Sequence, residues 1–364
     1  MAPPRDLELR QSYATSTEGE ANARNIGHSE DVPPIACIVG APRCGTTTFA
    51  RWLKRREEIC FSKIKEPHFF TLVDLADVPA DELVETIEKR YLERFFPHRH
   101  AGTGLLAEGS ISYLYAPEKL LPMLRMWPSA KFIIALRDPF ELLPSVHQRL
   151  LYQGDEVVAD FAEAWRLQEA RSQGRNIPRS CIDARQLQYL EVARLGKHVS
   201  RFFEVIGREK CHIALFDELR DDPAAAYRNL LRFLGLNDDG FRDFRVNRPS
   251  RSFRYGWLQR ALKRPTVVTK AALAGSSFQY RFGATAPKNG SYPERALTLI
   301  RRKLLKWNQR EACKPTLSPQ LQDEIRNLLR DDVSSLARLI GRDLDHWLGA
   351  QGRGVAVERP ASHS

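Results

Sequence analysis

Gly40 and Gly45 bracket a short loop within IACIVGAPRCGTTTF, residues 35–49, and Thr46, Thr47 and Thr48 follow it. The apolar run before the loop, Ile35–Val39, has the character of a buried strand. A glycine-bounded turn from strand into helix aims backbone N–H groups at an anion, and the helix dipole adds favourable potential. The nucleotide-phosphate form G-x-x-x-x-G-K-[ST] has lysine after the second glycine. Here Thr46 stands there, and the cation, Arg43, sits inside the loop. Cys44, Gly45, Thr46, Thr47 and Thr48 then supply amides and hydroxyls to a bound group. Moving the cation while keeping the amides points to an anion other than a magnesium triphosphate. A plain connecting turn is the alternative, and the apolar strand, Pro42-Arg43 and the threonine run favour the anion site.

Two further segments carry candidate chemistry. Lys65-Glu66-Pro67-His68-Phe69-Phe70 follows the next short apolar run. Glu66 is a candidate general base and His68 a second polar group beside it. A structural ion pair, Glu66 with Arg43 or with Lys65, and a packed histidine explain the same residues equally well. Phe132–Leu136 is a second buried strand, ending in Arg137-Asp138-Pro139, with Ser145 eight residues past Arg137. Arg137 and Ser145 can meet one phosphate on the crevice side, the arginine through its planar fork. The alternative is an Arg137–Asp138 pair with a surface serine.

These residues need a frame that brings strand ends to one edge. Strands are predicted at Ile35–Val39, Ile59–Phe61, Leu105–Ala107, Lys131–Leu136 and His212–Phe216. Helices are predicted at Thr47–Arg56, Asp81–Phe95, Pro117–Met126, Pro139–Leu151, Ala184–Ile206, Pro223–Leu234 and Ser318–Ile340. The alternation defines an α/β fold of three layers, a central parallel sheet flanked by helices. Residues 1–33 are polar and aperiodic and read as a disordered arm; 34–349 form the folded domain; 350–364 read as a flexible tail. The weakest pattern, 245–292, suits insertions or loops facing a substrate.

Composition narrows the classes. The 364 residues are 43% hydrophobic, enough for a sizeable core, and carry a net charge of +11. A basic chain favours anionic partners. Five arginines, at 242, 245, 248, 251 and 254, recur every third residue, but Pro249 interrupts a continuous helix there. No apolar run reaches the ~20 residues of a membrane span. The N-terminus lacks a basic-then-apolar signal pattern, so the expected location is the cytoplasm. Six cysteines without a C-x-x-C pair speak against a zinc site or a disulfide framework. His98 and His100 lack a third ligand at convincing spacing and read as a surface turn. No metal and no nucleic-acid partner are expected.

Taken together, the segments resemble the sulfotransferases that use 3′-phosphoadenosine 5′-phosphosulfate (PAPS). Gly40–Phe49 is similar to their 5′-phosphosulfate loop, and Arg137 with Ser145 to their 3′-phosphate site. Lys65–Phe70 resembles the K-E-P-H-F-F segment of the glycosaminoglycan sulfotransferases and their bacterial relatives. Glu108-Gly-Ser110-Ile-Ser112-Tyr113, Phe216-Asp-Glu218-Leu219 with Asp222-Pro223, Phe233-Leu-Gly-Leu236, and Gly341-Arg-Asp-Leu344 before Trp347 also match. The resemblance covers about residues 35–348 and implies a P-loop-like fold, a PAPS co-substrate and a small-molecule or glycan acceptor. It implies Glu66 as base, Arg43 at the sulfuryl group, amides of Cys44–Thr48 on the 5′-phosphate, Arg137 and Ser145 on the 3′-phosphate, and His68 as an aid to Glu66.

Departures from the family pattern stand at several positions. Arg43 replaces a frequent lysine, Cys44 a small residue, Gly109 the lysine of E-K-S, Leu142 a second arginine, and Thr71 an acidic residue of some glycan enzymes. Lys288–Gly290 and Arg248–Arg254 are candidates for the late loop over the nucleotide. His147 and Gln148 are candidates for the acceptor cleft, with a helix surface as the alternative. Competing functions are sulfation of a lipid or secondary metabolite, a P-loop phosphotransferase, and a non-catalytic binder of anionic polymers.

Overall fold

The structure is a computed structural model, and it describes residues 32–244, 251–263, 292–311 and 317–349. The expected arm, apart from Val32 and Pro33, and the whole expected tail therefore lie outside the described residues. Val32 packs against the core, and the Pro33 carbonyl accepts from Trp127 Nε1 at 3.1 Å, so these two residues belong to the folded body.

Five strands form one parallel sheet: β1 (Ile35–Ile38), β2 (Ile59–Phe61), β3 (Leu105–Glu108), β4 (Lys131–Leu136) and β5 (Cys211–Leu215), in the order β2-β3-β1-β4-β5. All four residues of β1 are buried, and β1 lies between β3 and β4, with Cys37 opposite Glu108 on one side and Phe132 on the other. A parallel strand covered on both faces must be apolar throughout, which is why these strands read as unbroken runs in the sequence. Because the sheet is parallel, the C-terminal ends of β1, β2 and β4 gather on one edge, where the loops that follow them meet.

The flanking helices start and stop at recognisable signals. α1 (Thr46–Lys54) begins after Gly45. α2 (Pro139–Gln153) is capped by Asp138, whose carboxylate accepts from the Phe140 amide at 2.8 Å, and Gly154 ends it. An Asp N-cap followed by proline satisfies the orphan amides of a first turn.

The long helix predicted over Ala184–Ile206 is instead three pieces: a 3₁₀ turn at Ala184–Leu187, a short helix at Tyr189–Ala193, and α3 (Leu195–Ile206). A distant carboxylate explains the second break. Asp332 accepts from the amides of Gly196 and Lys197 at 2.8 and 2.9 Å, acting as an N-cap supplied by another helix. α4 (Pro223–Leu234) runs from Asp222 to Gly235 as its signals indicate. The helix that carries Asp332 is α5 (Pro319–Ile340), capped by Ser318 and ended by Gly341. It buries Leu321, Ile325, Leu329, Val333, Leu336 and Ile340, whereas Leu328 and Leu339 face solvent.

Other elements depart from expectation. The stretch Asp81–Phe95 holds a π turn at Glu88–Leu92, and Pro117–Met126 opens with a 3₁₀ turn before its helix. Short helices at Phe161–Arg166 and Phe216–Asp221 carried no strong sequence signal. Within the weakly patterned region, β6 (Arg251–Phe253) pairs antiparallel with β7 (Gln309–Glu311), a contact between segments far apart in the chain.

Replacing Asp332 by alanine removes the cap of α3. The expected loss is about 1–2 kcal/mol in chemical denaturation. A loss within a few tenths of a kcal/mol would show that the helix break is set elsewhere.

Candidate active site

The loop after β1 is seated on β4. Val39 N donates to Ile133 O and Ala41 N to Ala135 O, each at 2.9 Å, which continues the sheet ladder past the end of the strand. Gly40 lies between these bonds, where a Cβ would come within 2.1 Å of the Ala135 nitrogen. Only glycine fits that crossing. The chain then turns through left-handed conformations at Arg43 (φ 69°) and Gly45 (φ 85°). A Cβ at Gly45 would also meet Leu219 at 2.5 Å. A helix leaves its first N–H groups without intrahelical acceptors, and the Thr48 and Phe49 amides are the first to turn back, onto Gly45 O. The amides before them precede the first intrahelical bonds, beside the hydroxyls of Thr46 and Thr47, at the place where the sequence puts the candidate cradle.

Three arginines gather at this loop. Arg43 Nε donates to Ser145 Oγ at 2.9 Å, joining the loop to α2. Arg137 is 8% exposed, and its Nη1 donates to the Arg43 carbonyl at 3.1 Å. Its Nε and Nη2 both reach Glu141 Oε2, at 3.0 and 2.9 Å, and its guanidinium lies 4.1 Å from the centre of the Phe216 ring. Arg137 thus braces the loop from below, with Glu141, not Asp138, holding its fork. Partial desolvation of the Arg43 side chain, which stays exposed at its surface, and then the charges of Arg149 and Arg137, lower its pKa from the usual arginine value. An anion placed here relieves that mutual repulsion.

The second segment lies beside the first. Lys65 Nζ donates to Glu66 Oε1 at 2.6 Å and to Thr46 Oγ1 at 3.2 Å. His68 Nε2 is 3.6 Å from Glu66 Oε2. His68 Nδ1 lies 2.7 Å from Ser112 Oγ, which is 2.7 Å from Thr71 Oγ1, so its ring is fixed on both sides. Burial alone would raise the Glu66 pKa, but hydrogen bonding from His68 and the charges of Lys65 and His68 hold it well below the usual carboxylate range. Glu66 is therefore ionised at neutral pH, the state a proton acceptor needs.

The structure thus brings Arg43, Cys44, Gly45, Thr46, Thr47, Thr48, Glu66, His68, Arg137 and Ser145 to one edge of the sheet. Sequence reasoning gave Lys65 only a structural role, as an ion-pair partner of Glu66, and not its contact with the anion loop. Glu141 and Arg149 were also missed, because a pairing partner one helical turn away and a third arginine on α2 look like ordinary surface charge. The Lys65–Glu66 ion pair, one of the alternatives for Glu66, is present.

Other candidates fall elsewhere. His147 is 1% exposed, donates through Nε2 to the Val158 carbonyl and packs on Phe161 and Tyr189, so it is a core residue and lines no cleft. The His100 ring accepts from the Gly102 amide, as a surface turn would have it. Among the described residues no group of three His, Cys, Asp or Glu is placed to hold a metal ion, and no helix is long and apolar enough to cross a membrane. Arg242 pairs with Asp238, and Arg254 lies over the Trp307 ring. Arg245, Arg248 and Lys288–Gly290 lie outside the described residues.

Among solved structures, the chain is similar to a sulfotransferase from Alicyclobacillus acidocaldarius, with 24% identity and a TM-score of 0.57, over 87% of this chain and 99% of that one. It also aligns with the sulfotransferase domain of the Synechococcus PCC 7002 olefin synthase, at 14% identity and a TM-score of 0.37, over 87% of this chain and 98% of that one. Mouse sulfotransferase SULT7A1, solved in complex with PAP, aligns at 15% identity and a TM-score of 0.41, over 85% and 87%. No protein-family model and no curated protein matches the chain. The likeness to the Alicyclobacillus protein establishes that this chain has the sulfotransferase fold, an α/β sandwich around a parallel sheet.

Cys44 tests the local chemistry of the loop. It is buried, its thiol faces the Pro42 carbonyl, and burial pushes its pKa up to about 12. The native protein treated with iodoacetamide at pH ~8 should leave Cys44 unmodified in peptide mass spectra, because only the thiolate reacts. Rapid alkylation at Cys44 would contradict this packing.

Proposed function

We propose that the chain is a sulfotransferase that moves a sulfuryl group from PAPS to an acceptor hydroxyl, with a carbohydrate hydroxyl as the first choice. One observation carries the proposal. The Lys65 ammonium touches Thr46 of the anion loop and Glu66 at the same time, so a cradle for the transferring group and an ionised base lie one side chain apart. The sulfotransferase fold and the K-E-P-H-F-F likeness at Lys65–Phe70 support it.

The roles follow from the chemistry. A transferring sulfuryl group carries one negative charge fewer than a phosphoryl group, so protein cations and amides go further toward neutralising it. Catalysis then rests on positioning and on electrostatic stabilisation. In this assignment Arg43 and Lys65 face the sulfuryl oxygens and the leaving 5′-phosphate, and the amides of Cys44–Thr48 hold that phosphate. Ser145 and Arg137 serve the 3′-phosphate, Arg137 chiefly by holding the loop that binds the rest. Glu66 removes the acceptor proton as the acceptor oxygen attacks sulfur in line with the leaving phosphate, as in phosphoryl transfer. His68 keeps the Glu66 carboxylate aimed.

Transfer of labelled sulfate from PAPS to panels of sugars, lipids and small phenols identifies the acceptor class. With the best acceptor, Glu66→Gln should lower turnover by ~10²–10⁴-fold while the variant still binds the product nucleotide. Near-normal turnover would remove Glu66 from the role of base. Because Glu66 is held low, its ionisation should leave kcat/KM unaffected until the pH falls below the usual carboxylate range, ~4.3. An acid limb nearer neutrality belongs to a group other than Glu66.

A further inference from the structure

Glu108 ends β3 directly beneath the Glu66 loop and is completely buried. Its carboxyl accepts from Ser110 Oγ at 2.5 Å and from Tyr91 Oη at 3.2 Å, and the Tyr113 hydroxyl is a third partner. Two of these hydroxyls reach onward. Ser110 Oγ, with its proton given to Glu108, accepts from the His68 amide at 2.8 Å. Tyr113 Oη accepts from the Phe70 amide at 3.5 Å. A backbone bond from Gly109 N to Lys65 O, at 2.8 Å, ties the same two segments together. The loop held in this way is under conformational load, since His68 sits at φ 54° without being glycine.

We propose that Glu108 is a positioning residue, which from beneath the sheet edge holds the Glu66–His68 loop in its working conformation through the hydroxyls of Ser110 and Tyr113. The consequence for the reaction rests on the sulfotransferase reading; the hold on the loop does not.

The chemistry gives this hold a pH dependence. The titratable groups facing Glu108 are the Cys37 thiol from β1, Tyr91, Tyr113 and Glu66. Burial raises its pKa, against the three hydroxyl donors and with help from the Glu66 charge, to about 7. Below that pH the carboxyl is neutral. Above it, the carboxylate makes stronger, charge-assisted bonds to its hydroxyls, and a negative charge behind Glu66 makes Glu66 a better base. Turnover should therefore rise as the pH passes through about 7.

The test uses the full-length chain with Glu108→Gln, which keeps shape and removes the titration, and Ser110→Ala, which cuts one relay and leaves Glu108 in place. Three readouts separate the claims: amide hydrogen exchange at His68 and Phe70, calorimetric binding of 3′-phosphoadenosine 5′-phosphate, and sulfate release from ³⁵S-labelled PAPS with water as acceptor. Losing one hydrogen bond to each amide should speed exchange by roughly tenfold, at both positions in Glu108→Gln and at His68 alone in Ser110→Ala. Both variants should lower kcat with nucleotide affinity unchanged, and the rise across neutral pH should be absent from Glu108→Gln. Unaltered exchange at His68 in Ser110→Ala, or a wild-type pH rise that persists in Glu108→Gln, overturns the proposal. If Glu108→Gln does not fold, Ser110→Ala alone decides it. Failure of the wild-type chain to bind the nucleotide would sink the sulfotransferase reading and leave the exchange result to decide the positioning claim.

Discussion

The contact on which the site depends is the one between Gly40 and the backbone of Ala135. With a Cβ position only 2.1 Å from the Ala135 nitrogen, the chain crosses β4 with no room for a side chain. That crossing lets β1 continue its ladder onto β4 through Ala41 and then turn sharply into the loop. Everything the loop does follows from this seat. The loop turns through a left-handed Gly45 into α1, and its Arg43 carbonyl accepts from Arg137, just past the end of β4. The same strand that seats the loop therefore also braces it.

Charge organises what is built on that seat. Arg43 and Arg137 lie on the cradle side with Arg149 near, and desolvation, followed by repulsion from Arg149 and Arg137, lowers the Arg43 pKa. Facing them, Glu66 carries the compensating negative charge, held by Lys65 and His68. The Lys65 ammonium joins the two segments, pairing with Glu66 and donating to Thr46 of the anion loop. A bound anion that draws Lys65 toward Thr46 weakens the Lys65–Glu66 pair and leaves Glu66 a stronger base. In the proposed reaction, ligand binding and the basicity of Glu66 are coupled through this one ammonium group.

Much of this was legible in the sequence because it is local. The strand before Gly40, the displaced cation at Arg43, and the Asp138-Pro139 helix start are short-range patterns, and each lies where the spacing placed it. The features that were not legible are contacts between distant segments. Asp332 ends one helix and starts another across more than a hundred residues, and no periodicity in Ala184–Ile206 announces it. His147 has the spacing of a cleft residue but is drawn into an aromatic cluster with Phe161 and Tyr189. Arg137 reads from the sequence as a candidate for a phosphate or a structural pair, and its brace on the Arg43 carbonyl is a contact that only three dimensions reveal. Lys65 shows the same limit, since its bond to Thr46 requires two strand ends to meet.

The central claim is that this crevice holds a nucleotide carrying phosphate at both the 5′ and the 3′ positions. Isothermal titration calorimetry of the full-length chain with 3′-phosphoadenosine 5′-phosphate, AMP and ATP tests it most directly. The account predicts that the bisphosphate binds at least roughly tenfold more tightly than AMP, since each charge-assisted contact to the added phosphate contributes about 1.5–3 kcal/mol, and more tightly than ATP without added metal. Equal affinity for the bisphosphate and AMP, or no binding of the bisphosphate at all, would contradict it.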